Sequence, residues 1–116
     1  MLNDTICAIA TADVMGAVSL IRISGDEAIG ITERLIGKDL SAVKGYSIVY
    51  GTIKDHGEPV DDVLVSVFRA PKSYTGEDVI EVGCHGGVYI THRILSLVMG
   101  QGARMARRGE FTQRAY

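Results

Sequence analysis

The hexapeptide Val63-Leu64-Val65-Ser66-Val67-Phe68 constrains this chain more than any other segment. It is rich in β-branched and aromatic residues, with Val63, Val65 and Val67 on one face of a strand and Leu64 and Phe68 on the other. A strand apolar on both sides belongs in the middle of a sheet, covered above and below. The rest of the chain must therefore supply neighbouring strands and a helical layer, and Pro71 must end the segment.

Neighbours are present. Tyr46 to Lys54 (YSIVYGTIK) precedes it across the turn-rich Asp55-His56-Gly57-Glu58-Pro59. Thr5 to Thr11 (TICAIAT) and Ala17 to Ile23 (AVSLIRI) read as a hairpin around Asp13-Val14-Met15-Gly16, and Val79 to Gly83 reads as one more short strand. Two segments change period. Ser24-Gly25-Asp26-Glu27 matches a capping box opening a helix, in which Ala28, Ile31 and Leu35 form an apolar stripe and Gly37 closes the last turn. After Gly86-Gly87 a second helix runs from Val88 to about Met99, with Val88, Thr91, Leu95 and Val98 on its buried side and Gly100 and Gly102 as its stop. The remainder is expected to be irregular until a final helical turn at Glu110 to Tyr116. This order predicts an α+β fold, a mixed β-sheet with helices packed on one face.

Composition narrows the function classes. At 116 residues with 47% apolar content and a net charge of -2, the chain is expected to form one soluble domain over residues 1–116. It is too short to hold a dinucleotide-binding unit plus a substrate domain. Cys7 and Cys84 lack the spacing of a zinc site or a disulfide framework, which suggests a reducing compartment. The N-terminus lacks the basic region of a signal peptide, and no run reaches the roughly 18 apolar residues of a membrane span, so a cytoplasmic location without membrane contact is expected. Neither G-x-x-x-x-G-K-[ST] nor G-x-S-x-G occurs, so phosphate cradling by a P-loop and a nucleophile elbow are both excluded. Cys84 and His85 would point to opposite faces of a strand, and zinc binding by Cys84, His85 and His92 would need a fourth ligand, so no metal site is expected.

Two charges stand out because they interrupt apolar strands: Arg22 in Leu20-Ile21-Arg22-Ile23, and Glu81 in Val79-Ile80-Glu81-Val82. Desolvating such groups without a partner costs several kcal/mol. Either they pair with each other or they line a pocket for a polar ligand. Near them, Tyr74-Thr75-Gly76-Glu77-Asp78 forms a glycine turn, and the amides at the Gly86-Gly87 helix start could meet an anion or merely allow close packing. The last fifteen residues carry Arg104, Arg107, Arg108 and Arg114 against Glu110 alone. This basic segment is either a solvated turn or a nucleic-acid contact.

Taken together, several strings resemble the N-terminal domain of the MnmE (TrmE) family of tRNA modification GTPases. They are Asp4-Thr5-Ile6, Ser19-Leu20-Ile21-Arg22-Ile23-Ser24-Gly25, Tyr74-Thr75-Gly76-Glu77-Asp78-Val79-Ile80-Glu81, Cys84-His85-Gly86-Gly87, Gly102-Ala103-Arg104 and Gly109-Glu110-Phe111-Thr112-Gln113-Arg114-Ala115. They span nearly the whole chain in the family's order. The chain departs from the family at Arg108, where proline is usual.

The resemblance implies a fold like the tetrahydrofolate-binding domain of aminomethyltransferases. It also implies a homodimer with folate at its interface, bound by Arg22 and Glu81. The family continues with an L-N-G-K string, whose lysine is a further folate contact, and with helical and GTPase domains; the chain is thus expected to be an isolated N-terminal domain, itself not an enzyme. For the parent protein the resemblance implies C5 modification of the tRNA wobble uridine with an FAD-dependent partner, MnmG (GidA), and a one-carbon unit from a tetrahydrofolate derivative. The parent would also use GTP, Mg and K at sites outside this chain, and DNA is not among the expected partners. Two other readings stand beside this one: a purely structural dimerisation domain, and a tRNA-contacting module acting through Arg104, Arg107, Arg108 and Arg114.

Overall fold

A computed structural model describes residues 4–10 and 18–116. The elements run β1 (Ile6–Ile9), β2 (Ser19–Ser24), α1 (Ala28–Ile36), β3 (Ser47–Asp55), β4 (Glu58–Phe68), β5 (Val79–Cys84), α2 (Gly87–Gly100), β6 (Arg104–Met105) and α3 (Glu110–Ala115). The strands form one six-stranded sheet in the order β3-β4-β5-β2-β1-β6. Among the described residues only the β1–β6 pairing is parallel, so the sheet is mixed and the expected α+β class holds. β1 and β2 pair antiparallel as the hairpin reading requires, while its loop, Asp13 to Gly16, lies outside the described residues.

Register explains the core. Across neighbouring strands Val65 faces Val82 and Val82 faces Ile21, while Val67, Ile80, Ile23 and Cys7 form the next row. Every one of these side chains is buried, and they share a cluster with Ala28, Ile31 and Leu35 of α1 and Ile94, Leu95 and Val98 of α2. The two long helices therefore lie on this one face, as expected. Ile36 sits so close to β3 that a Cβ on Gly51 would come within 3.2 Å of it. Gly37 ends α1 at φ 66°, its amide donating to the Glu33 carbonyl.

Several expectations need correction. β4 is covered on one face only: Leu64 is 45% exposed, and Ile48 and Tyr50 beside it on β3 are also exposed. Alternating valines are enough to bury one side, and the apolar residues on the other leave an open sheet face. The short helix α3 also departs from the one-face arrangement, lying across the sheet from α1 and α2 with Phe111 over Arg22. The β3–β4 turn contracts to His56-Gly57, both with positive φ as a two-residue hairpin needs, and a register shift at Ile53/Lys54 lets Pro59 enter the strand. Residues after Gly102 include β6, whose Arg104 amide donates to the Thr5 carbonyl and whose extension at Ala106 donates to Cys7. Two residues are too few for periodicity to signal. On α2 the buried face is Thr91, Ile94, Leu95 and Val98, while Val88 stays half-buried.

The capping box does not form. The Ser24 hydroxyl lies 2.7 Å from Thr75 Oγ1 and donates to Glu77 Oε1 at 2.8 Å, so it joins β2 to the following loop instead. The Glu27 amide is satisfied from outside the helix, by Thr5 Oγ1 at 3.0 Å. That contact explains Gly25, which has φ 141° and whose added Cβ would stand 2.5 Å from the same oxygen.

Candidate functional site

Arg22 and Glu81 occupy directly paired positions at the centres of β2 and β5, within a row that crosses the open face from Ile48 through Ser66, Glu81 and Arg22 to Ala8. Arg22 donates to Glu81 Oε2 from Nε at 2.9 Å and from Nη2 at 2.8 Å. The pairing that sequence left as one of two alternatives is thus present. It is not sealed, however: the two side chains keep 27% and 22% of their exposure. Both donated hydrogen bonds fall on one oxygen, so Glu81 Oε1 stays outside the fork.

Two rings wall the pair. The guanidinium carbon lies 5.6 Å from the Tyr74 ring centroid and 5.8 Å from that of Phe111, within cation–π range. Tyr74 comes from the glycine turn before β5 and Phe111 from α3, and the Tyr74 hydroxyl is 3.2 Å from Thr112 Oγ1. Sequence reading did not assign these rings to the site. Their signals were the placing of Tyr74 in the glycine turn near the two charges and of Phe111 in the Gly109 to Ala115 string. A carboxylate, a guanidinium and two flat apolar faces around an open sheet surface suit a planar polar ligand that presents N–H donors and oxygen acceptors.

Beside the rings lies a network that redefines the basic tail. Arg104 donates to Glu110 Oε2 at 2.7 Å and Oε1 at 3.0 Å, and to Asp4 Oδ2 at 2.6 Å. Arg114 donates to Asp4 Oδ1 at 2.7 Å, to the Asp4 carbonyl at 2.7 Å and to Glu77 Oε1 at 3.1 Å. The Arg107 amide adds a hydrogen bond to Glu110 Oε1 at 2.8 Å. The Arg104 guanidinium, the Arg107 amide and the remaining charges hold the Glu110 carboxyl down at about 2 despite its burial. Arg104, with Arg114 beside it, likewise holds Asp4 well below the usual carboxylate range, and Glu110 and Asp4 raise Arg104 in turn. Arg104 and Arg114 are therefore committed to internal carboxylates, while Arg107, whose guanidinium also stands 3.6 Å from Glu110 Oε2, and Arg108 are the exposed ones.

The other sequence candidates resolve simply. Asp61 Oδ2 accepts the His85 amide at 2.8 Å and the Gly86 amide at 3.2 Å, so this carboxylate occupies the start of α2 where an anion was considered. A Cβ on Gly86 would meet Ile90 at 2.6 Å, which supports the packing reading of that glycine. Cys84 is buried while His85 is exposed. Burial lifts the Cys7 thiol to about 11 and, with a contribution from Asp61, the Cys84 thiol to about 12. Among the described residues no helix is long and apolar enough to cross a membrane.

Residues 5–116 match the family described as GTP-binding protein TrmE N-terminus. The chain is 53% identical over 116 residues to the tRNA modification GTPase MnmE of Lacticaseibacillus paracasei, covering 97% of this chain and 25% of that protein. Its identity to the protein of the same name from Bacteroides thetaiotaomicron is 52% over 121 residues, covering 100% and 26%. With that from Moorella thermoacetica it is 49% over 122 residues, again covering 100% and 26%. The chain spans about a quarter of the length of the relatives it matches.

Proposed function

This chain belongs to the TrmE N-terminal family of tRNA modification GTPases, and from that premise we propose that it is a folate-binding and dimerisation module. The observation that carries the proposal is the Arg22–Glu81 pair, half-open on an uncovered sheet face and flanked by Tyr74 and Phe111. A pterin edge presents adjacent N–H donors that the Glu81 carboxylate accepts, with Oε1 as the oxygen outside the Arg22 fork. The Arg22 guanidinium donates to a pterin carbonyl or a glutamyl carboxylate, and the two rings offer faces for the flat bicycle. The fold then corresponds to the tetrahydrofolate-binding domain of aminomethyltransferases.

Dimerisation uses the same side of the sheet. Ile48, Tyr50 and Leu64 form an exposed apolar patch beside the pair, and a second copy laid over it would bury both the patch and one edge of the ligand. Within the whole cytoplasmic protein this module holds a 5-formyl- or methylene-tetrahydrofolate, the carrier of the one-carbon unit destined for C5 of the tRNA wobble uridine, in partnership with MnmG (GidA). GTP hydrolysis, with its Mg and K, belongs to other domains, because no P-loop string occurs in residues 1–116. Residues 1–116 act as one unit that binds and pairs but turns nothing over.

Calorimetric titration of 5-formyl-tetrahydrofolate into the wild type and into Glu81→Ala tests this. Heat in the first and its loss in the second are expected; equal heats, or none in either, overturn the proposal. A second reading, a purely structural dimerisation domain, is favoured by the direct contact of Arg22 with Glu81. It predicts a dimer whose mass is indifferent to folate and whose stability falls with substitution of either Arg22 or Glu81.

A further inference from the structure

The helix α3 is fastened in an unusual way. It is six residues long, and its one buried residue is an acid, Glu110. Its aromatic residue, Phe111, lies over Arg22 on the open face. Helices normally dock by an apolar stripe; this one is held by charges. Glu110 takes the Arg104 fork, and Arg114, only 11% exposed, reaches Asp4 ahead of β1 and Glu77 in the loop before β5.

Those attachments converge on the ring walls. Glu77 is three residues from Tyr74, and its carboxylate also receives the Ser24 hydroxyl, two residues from Arg22 on β2. The guanidinium of Arg114 thus ties together the loop that carries Tyr74, the helix that carries Phe111 and Asp4 ahead of β1. The Tyr74–Thr112 hydroxyl contact closes the circuit between loop and helix.

We infer that Arg114 is a positioning residue for the Arg22–Glu81 site: its bonds to Asp4 and Glu77 hold α3 and the Tyr74 loop so that both rings flank the guanidinium. This inference rests on the folate reading for its ligand but not for its geometry. Among the described residues Arg114 makes no hydrogen bond or ion pair with Arg22 or Glu81, so its effect on binding passes through Phe111 and Tyr74. Linkage requires the converse as well: a ligand stacked on these rings must favour the docked state of α3.

The test uses wild type, Arg114→Ala, Arg114→Lys and Phe111→Leu. The proton on Arg22 Nε reports the rings by its NMR shift, because ring currents displace it while it is held against Glu81. Phe111→Leu keeps the helix and an apolar side chain and calibrates the loss of one ring. Arg114→Ala is expected to move that resonance at least as far, with the β2 and β5 backbone amides unchanged. Affinity for 5-formyl-tetrahydrofolate is expected to fall about tenfold in both variants, the size of one lost stacking contact. Arg114→Lys, with one point charge in place of the fork, is expected to recover part of each effect, and it serves as the readout should Arg114→Ala not fold. An Arg22 resonance unmoved in the Arg114 variants overturns the inference, even if they melt earlier, because a merely stabilising residue lowers the melting temperature alone. Wild type that fails to bind the folate refutes the ligand reading instead, and the resonance still decides on Arg114.

Discussion

Replacing Glu110 by glutamine keeps the volume of the side chain and removes one negative charge from the network that fastens α3. In the wild type this carboxylate is 5% exposed and accepts the Arg104 fork at 2.7 and 3.0 Å and the Arg107 amide at 2.8 Å. These donors bring its pKa from 4.5 to about 2. At 1.36 kcal/mol per unit that difference corresponds to about 3 kcal/mol of stabilisation as an upper figure. Arg104 is itself 36% exposed and keeps Asp4 as a partner, so screening reduces the expected loss to about 2 kcal/mol. A domain of this size has roughly 6 to 17 kcal/mol to lose, so Glu110→Gln should fold and melt about 8 °C lower at pH 7. The pH dependence has a definite sign. Because the folded pKa lies below the unfolded one, the contribution of Glu110 is complete above about 4.5 and disappears as pH falls towards about 2. Thermal melts of both proteins between pH 7 and pH 2 should therefore show a gap that is full at neutral pH and closes in acid. A gap that persists unchanged at pH 2, or is absent at pH 7, refutes an electrostatic fastening of α3.

Three further outcomes follow from particular contacts. Gly25→Ala should cost at least about 2 kcal/mol in chemical denaturation, since its φ of 141° disfavours any side chain and the new Cβ would stand 2.5 Å from Thr5 Oγ1; a neutral substitution would contradict that contact. Leu64→Asp should abolish the proposed dimer in sedimentation while shifting the monomer's stability by no more than about 0.5 kcal/mol, because Leu64 is exposed on the open face; a dimer that survives places the interface elsewhere. Cys7 and Cys84, buried and raised to about 11 and about 12, should resist a thiol reagent at pH 8 until the protein is unfolded, so labelling of the native state would count against their burial.

What could be read from the sequence was what depends on period and on local chemistry. The stripe Ala28, Ile31 and Leu35, the left-handed Gly37 and the alternating valines of β4 each act within a few residues of themselves, and each is where the pattern put it. Arg22 and Glu81 were legible for a different reason. A charge inside an apolar strand needs a partner, and the register of β2 on β5 sets the two opposite one another. What escaped were contacts between segments distant in sequence. The Ser24 hydroxyl that was to cap the helix is drawn instead to Thr75 and Glu77, and the Glu27 amide it was to meet is taken by the remote Thr5.

The tail shows the same limit in its charges. Arg104 and Arg114 read as a surface patch because their acidic partners stand about a hundred residues earlier at Asp4, in the glycine turn at Glu77, and in their own segment at Glu110. A local count of charge therefore overstated what the tail offers to a polyanion, since the contacts that neutralise these arginines are the ones that hold α3 in place. The same charges thus fasten the helix that carries Phe111, and of the four arginines Arg107 and Arg108 are the ones left exposed. The string Gly109-Glu110-Phe111-Thr112-Gln113-Arg114 accordingly combines the fastening and the wall of one site: Glu110 and Arg114 point into the network, and Phe111 faces Arg22.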